Sequence, residues 1–114
     1  MMAELDIDLL ALIVVSRSQS KKLMARLNKQ HFYFTIIDTR GSLFHEPTVL
    51  LLLGLNQARQ ETLNNLVRKY CQPHKRFVPV QMRGTGELTH LPVIETIEGG
   101  AIFYSMPVEH FEQI

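Results

Sequence analysis

Two uninterrupted apolar runs restrict the fold of this chain more than any other feature. They occupy residues 9–15 (LLALIVV) and 49–55 (VLLLLGL). Each is much shorter than the roughly 20 apolar residues of a membrane-spanning helix. Neither alternates between apolar and polar residues, so both are typical of strands covered on the two faces of a sheet. Because 114 residues with two helix candidates can hardly cover both faces, we expect a second copy of the protein to cover one of them.

Composition indicates an ordinary globular protein, and we expect one domain over residues 1–114. Hydrophobic residues make up 46% of the chain and charged residues 20%, which are usual values for globular domains. The single cysteine, Cys71, excludes an intramolecular disulfide and a cysteine-based zinc site. The start of the chain lacks the basic region of a secretory signal, so we expect a cytoplasmic protein. A net charge of +1 favours neither nucleic acid nor a membrane as a partner.

Hydrophobic spacing and turn residues predict five strands and two helices. The expected strands are residues 9–15, 32–39, 49–55, 92–97 and 101–106, and the expected helices are 21–29 and 57–70. Residues 77–81 are expected to form a short extended piece whose Pro79 suits a sheet edge. Ser18 or Ser20 is expected to cap the first helix. Glycines 99 and 100 predict a tight hairpin turn, and residues 108–114 a terminal anchor. The first six elements predict a ferredoxin-like (βαββαβ) α+β sandwich, with helices on one face of an antiparallel sheet and an extra C-terminal strand.

No group of residues in the sequence has the spacing of a catalytic or metal site. The three serines at 16, 18 and 20 are better explained by helix capping than by nucleophilic catalysis. None of the five histidines pairs at the i, i+4 spacing of a helical metal site. The segment Arg83-Gly84-Thr85-Gly86 lacks the Lys-Ser/Thr that completes a phosphate-binding loop. We therefore expect no enzyme activity and no cofactor, and leave open a metal site assembled between subunits.

The loop Arg40–Pro47 is the segment with the most distinctive side chains. Leu43 and Phe44 are large apolar residues that a simple turn does not need. They could stack on a planar ring or anchor a partner, or fold back onto the protein itself. Gly41 permits close approach of backbone N–H groups to an anion, and Ser42 and Thr48 add hydroxyl donors.

The sequence resembles the cyclic-di-AMP receptor family, which consists of small trimeric relatives of the PII signalling proteins. The similarity extends over most of the chain. It is clearest in residues 32–54, which match the strand–loop–strand of the family without a gap. It is equally clear from Pro92 through the Gly99-Gly100-Ala101 turn to the ending Met106-Pro107-Val108-Glu109-His110-Phe111-Glu112-Gln113. The resemblance implies a PII-like homotrimer with nucleotide sites in clefts between neighbouring subunits.

The resemblance also implies a set of ligand-binding positions, some of which depart from the family pattern. Tyr33 stands where the family usually has an arginine, Ser42 replaces a glycine, and Thr48 replaces an asparagine. The apolar pair at 43 and 44 is kept in reversed order. Loss of the arginine removes a charge-assisted phosphate contact worth about 1.5–3 kcal/mol, although Tyr33 could stack on a base. The implied positions are Tyr33, Thr35, Gly41, Ser42, Leu43, Phe44, Thr48, Gly54 and Gln113.

The leading hypothesis from the sequence is a non-enzymatic receptor that senses a nucleotide. By resemblance, the ligand is cyclic-di-AMP or another adenine nucleotide, and its binding orders the loops 40–47 and 82–91 so that they contact a target protein. The alternatives are a ligand-free PII-like protein-interaction module, which the lost arginine favours, and a metal-binding trimer.

Overall fold

A computed structural model of the chain describes residues 6–38, 47–79 and 93–114. It contains six strands, two α-helices and one short 3₁₀ turn, Gln57–Arg59, before the second helix. The strands are β1 (Leu9–Ser16), β2 (Thr35–Asp38), β3 (Thr48–Leu55), β4 (Pro73–Pro79), β5 (Val93–Gly99) and β6 (Ala101–Pro107), and the helices are α1 (Arg17–Lys29) and α2 (Gln60–Tyr70).

Four of the strands form an antiparallel sheet in the order β2-β3-β1-β6. The two apolar runs lie side by side in its centre, with Leu9 opposite Leu55 and Val15 opposite Val49. β2 and β3 pair as the two antiparallel strands expected from the sequence. The predicted class, α+β with an antiparallel sheet and two helices, is confirmed.

The helices cover one face of this sheet. The odd-numbered residues of β1 and β3 point toward them, and Ile13, Leu51 and Leu53 are fully buried. Helix α1 contributes Leu23 and Leu27 to the same core cluster. Helix α2 contributes three residues at helical spacing, namely Leu63, Leu66 and Val67. The apolar stripes predicted for both helices therefore face the core.

The opposite face of the sheet is also apolar, but no element of the described chain covers it fully. Leu12 and Leu52 lie opposite each other in its centre and are half-buried. Tyr104, opposite Leu12 on β6, is 50% exposed. We call this surface the bare face; its large apolar residues are Leu10, Leu12, Ile37, Leu50, Leu52, Ile102, Tyr104 and Met106.

The C-terminal half of the fold differs from the arrangement expected from the sequence. The fourth strand of the main sheet is β6, which pairs with β1, and not the strand expected at residues 92–97. Strands β4 and β5 pair with each other in a separate two-stranded ribbon. The expected extra C-terminal strand is thus an integral part of the main sheet.

The predicted Gly99-Gly100 hairpin is wrong, because the flanking strands belong to different sheets. Both glycines have positive φ, 77° and 79°, a conformation that glycine adopts without steric cost. They turn the chain from the ribbon into the main sheet. The Gln19 side chain holds this junction by accepting a hydrogen bond from the Gly100 N–H (3.1 Å) and donating one to the Gln72 carbonyl (2.9 Å).

The boundaries of three further elements also differ from the predicted ones. Helix α1 begins at Arg17, and its N-cap is Ser16, whose hydroxyl accepts a hydrogen bond from the Gln19 N–H; Ser18 and Ser20 lie inside the helix. Strand β2 is shorter than expected because residues 32–34 do not pair with β3. Strand β4 begins at Pro73, four residues before the extended piece predicted at residues 77–81.

Candidate functional site

A cleft of about 1010 Å³ opens at one end of the sheet. Four parts of the chain meet there: the segment before β1, the connection from α1 to β2, the end of β3 with the turn that follows it, and the C-terminal segment after β6. The walls are mostly apolar, with a few polar and charged groups. The lining residues are Asp6, Ile7, Leu10, His31, Phe32, Tyr33, Phe34, Thr35, Leu52, Gly54, Leu55, Asn56, Arg59, Val108, Phe111, Glu112 and Gln113.

The connection from α1 to β2 places Tyr33 in the cleft. His31 has a positive φ of 61°, which reverses the chain after the helix. The Phe32 N–H then donates to the Leu27 carbonyl at 2.9 Å, and the Phe32 ring is buried, with 3% of its surface exposed. Successive side chains of an extended segment point in opposite directions, so Tyr33 turns outward and is 70% exposed. Its ring is available for stacking on a planar molecule.

Thr35 and Gly54 lie on the bare face at the edge of the cleft. Thr35 is the first residue of β2 and pairs with Leu52. At Gly54 a Cβ atom would lie 3.1 Å from the Ile7 Cγ2 and 3.2 Å from its Cδ1. The absence of a side chain at Gly54 therefore allows Ile7 to pack against the strand and keeps this part of the cleft open.

The C-terminal segment closes the far wall of the cleft. The Val108 N–H donates to the Asp8 carbonyl at 2.9 Å, which fixes the chain as it leaves β6. Phe111 is 41% exposed and lines the cleft together with Gln113. The Gln113 amide offers both a donor and an acceptor, as hydrogen bonding to the edge of a base requires. The predicted C-terminal anchor thus contributes to the cleft as well as to the fold.

Arg59 is a cleft residue that the sequence analysis missed. Its guanidinium carbon lies 3.8 Å from the centroid of the Phe32 ring. The same group donates hydrogen bonds to the carbonyls of Gln30 (2.6 Å) and His31 (3.3 Å). No local pattern marks Arg59 in the sequence, because its place depends on the 3₁₀ turn packing beside the end of α1.

The structure brings together Tyr33, Thr35, Gly54 and Gln113 of the predicted ligand-binding positions. Thr48 does not line this cleft: it is buried at the opposite end of β3, six residues from Gly54. At about 3.3 Å per residue this separation is roughly 20 Å. The remaining predicted positions, Gly41, Ser42, Leu43 and Phe44, lie outside the described residues.

Apart from His31, which lines the cleft, the other candidate groups within the described residues form no separate site. His45, His90 and the segment Arg83-Gly84-Thr85-Gly86 lie outside the described residues. Burial raises the pKa of the Cys71 thiol from 9.0 to about 11, so the thiolate nucleophile is disfavoured. Residues 6–38, 47–79 and 93–114 contain no cluster of three or more His, Cys, Asp or Glu side chains that could hold a metal ion. His74 and His110 each face a glutamate, Glu98 and Glu112. In the described part of the chain, neither helix is both long and apolar enough to cross a membrane.

The fold and the cleft define a small α+β protein with a large, mostly apolar cleft beside a sheet face that the described residues cover only in part. The family model of the cyclic-di-AMP receptor matches residues 9–114. The chain therefore belongs to the cyclic-di-AMP receptor family, as its resemblance indicated.

The solved structures add support for the fold alone. A crystal structure of a functionally unknown protein from Pediococcus pentosaceus ATCC 25745 is similar to this chain, with a TM-score of 0.71 and 18% sequence identity. The match covers 95% of this chain and 98% of that one. No curated protein matches the chain.

Proposed function

We propose that this protein is a non-enzymatic, cytoplasmic receptor that binds cyclic-di-AMP or another adenine nucleotide. It acts as a PII-like, ferredoxin-like domain in a homotrimer, and the nucleotide occupies clefts between neighbouring copies. One observation carries the proposal: in this member of the cyclic-di-AMP receptor family, one cleft collects four of the predicted ligand-binding positions from three separate segments. Those positions are Tyr33, Thr35, Gly54 and Gln113.

The bare face supports association of several copies. A face of large aliphatic and aromatic residues next to a fully packed core is unusual for a monomer, and such patches mark interaction sites. Burying each half-exposed side chain of this face favours association by about 1 kcal/mol. Packing the bare faces of neighbouring copies together supplies the second cover that both apolar runs require.

Association would also complete the nucleotide site. Thr48 lies roughly 20 Å from Gly54 along β3, so the two residues of one copy do not share a cleft. Residues of the Thr48 end of one copy can join the cleft of its neighbour if the sheets pack together. The apolar walls and the Tyr33 ring suit an adenine base, and the Thr35 hydroxyl and Gln113 amide suit its polar edge.

The signalling step in this proposal is a change in the surface presented to a target protein. Nucleotide binding shifts the loops 40–47 and 82–91 toward one arrangement, which requires only that the nucleotide has a higher affinity for that arrangement. The target protein recognises the surface formed in the nucleotide-bound state.

Calorimetric titration tests the proposal directly. The protein is titrated with cyclic-di-AMP, other cyclic dinucleotides, ATP, ADP and AMP, beside a Tyr33→Ala/Gln113→Ala variant. We expect saturable binding of one member of the panel, with one ligand per subunit, and at least tenfold weaker binding by the variant. Absence of heat for every compound at high micromolar concentration would refute nucleotide sensing.

A ligand-free PII-like interaction module is the second candidate, and the uncharged Tyr33 in the cleft favours it. In that case the loops contact a partner constitutively. Capture of the same partner with and without nucleotide, and loss of capture in a Leu43→Ala/Phe44→Ala variant, would favour this candidate over nucleotide sensing. Metal analysis of the purified protein tests the third, a metal-binding trimer.

A further inference from the structure

Three observations on Arg59 indicate that its positive charge is available to a ligand. It lines the cleft, it is half-buried, and it is absent from the ion pairs that the described residues form. A half-buried cation without a carboxylate partner is costly unless hydrogen bonds or an anion compensate it. The acidic residues of the same cleft contact other groups: Asp6 accepts a hydrogen bond from Asn56, and Glu112 lies 3.8 Å from His110.

The guanidinium of Arg59 is held in a defined orientation. One face stacks on the buried Phe32 ring at 3.8 Å, and hydrogen bonds to the carbonyls of Gln30 and His31 fix its rotation. Arginine has five N–H donors, and these two contacts use two of them. A planar cation that is positioned before binding loses little entropy when it binds a phosphate, and its fork of donors matches phosphate oxygens.

We propose that Arg59 is the residue of this cleft that binds the phosphate group of the ligand. The inference rests on the proposed function, since it takes the cleft to be a nucleotide site. The Tyr33 ring then stacks on the base and the Arg59 guanidinium binds the phosphate, so two different segments of the cleft recognise the two parts of the ligand. An uncharged Tyr33 is in this way compatible with an anionic ligand.

The test uses Arg59→Gln and Arg59→Lys, with Arg68→Gln as the matched control. Arg68 is an exposed arginine of α2 outside the cleft. Calorimetry with cyclic-di-AMP and with inorganic pyrophosphate is performed at two salt concentrations, and urea denaturation gives the folded fraction of each variant. Affinities are compared only under conditions in which the variant is folded.

We expect Arg59→Gln to weaken both ligands by about ten- to a hundredfold and to reduce the salt dependence of binding. Arg59→Lys should retain the salt dependence with part of the affinity, and Arg68→Gln should bind as the wild type does. If Arg59→Gln is folded and binds cyclic-di-AMP with unchanged affinity and salt dependence, Arg59 only supports the fold and the inference is wrong.

The two ligands separate this inference from the proposed function. Binding of pyrophosphate through Arg59 without binding of cyclic-di-AMP or the adenine nucleotides would refute the nucleotide receptor and keep the anion site. Binding of cyclic-di-AMP without a contribution from Arg59 would refute the anion site and keep the nucleotide receptor. Failure of the wild type to bind pyrophosphate, cyclic-di-AMP or any of the adenine nucleotides would refute both.

Discussion

If the bare faces of neighbouring copies pack together as proposed, replacing Leu12 by lysine should dissociate that assembly while leaving the single copy folded. Leu12 lies in the centre of the bare face, opposite Leu52 on β3 and Tyr104 on β6. Within the described part of one copy this face is only partly covered, so the lysine ammonium can remain hydrated while its methylene groups lie along the sheet. We expect a loss of folding stability of about 1 kcal/mol or less, the range of β-propensity effects.

The free-energy cost of Leu12→Lys becomes large when copies associate. Complete burial of the half-exposed apolar side chains of the bare face contributes on the order of 8 kcal/mol per copy, part of which offsets the entropy lost on association. Lysine at position 12 removes about 1 kcal/mol of this and adds several kcal/mol for a buried ammonium without a partner. A net loss of about 4 kcal/mol per copy weakens association about a thousandfold.

Sedimentation velocity over a range of micromolar concentrations measures this effect, and urea denaturation measures folding in parallel. Leu53→Ala is the matched control, because Leu53 is fully buried against the helices. Its truncation should lower folding stability by about 2–5 kcal/mol without acting on the bare face. The reasoning fails if Leu12→Lys sediments as the wild type does, or if the wild type is itself monomeric at these concentrations.

Three further predictions concern the cleft, the sheet junction and the thiol. Gly54→Ala should change stability little, because Ile7 can shift by a few tenths of an ångström, but should weaken nucleotide binding measured by calorimetry; unchanged affinity would contradict a cleft site. Gly99→Ala should lower the free energy of unfolding by about 1–2 kcal/mol, because φ is +77° and the new Cβ would lie 2.7 Å from the Gln19 Nε2. Urea denaturation with Gln19→Ala as a second variant tests this, and an unchanged free energy of unfolding would contradict it. Burial raises the pKa of Cys71 from 9.0 to about 11, so the thiol of the unfolded chain loses its proton at a lower pH than the thiol of the folded chain. The free energy of unfolding should therefore fall between pH 9 and 11 by at most about 1.4 kcal/mol per pH unit. Comparing its pH profile with that of Cys71→Ala isolates this effect, and identical profiles would refute it.

The first half of the fold could be predicted from the sequence because its signals are local. The apolar runs at 9–15 and 49–55 define the central strands, and the spacing of Leu63, Leu66 and Val67 defines the inner face of α2. The start of α1 is not defined by local sequence, since Ser16, Ser18 and Ser20 all have side chains that can cap a helix. The start at Arg17 coincides with a long-range contact, the hydrogen bond from the Arg17 N–H to the Pro47 carbonyl, which no local pattern contains.

The C-terminal half was predicted less well because pairing there depends on distant residues. Two glycines after a strand are compatible with a hairpin and equally with a change from one sheet to another. The Gln19 side chain, 81 positions from Gly100 in the sequence, helps to hold the second arrangement. No window of local sequence contains that information.

Only part of the cleft could be predicted from the sequence, because the position of Arg59 also depends on residues far away in the sequence. Tyr33, Thr35, Gly54 and Gln113 came from the family resemblance, whereas Arg59 has no local signature. Its place depends on a distant segment, in which α1 ends, His31 reverses the chain and Phe32 inserts into the core. The Phe32 ring then packs against the guanidinium of Arg59, which follows β3 in the sequence. The residue most suited to bind an anion is therefore positioned by the same buried ring that turns Tyr33 outward, so one aromatic side chain sets both the stacking surface and the charge of the cleft. Phe32→Leu should accordingly weaken nucleotide binding through both groups, even though Phe32 itself is almost fully buried.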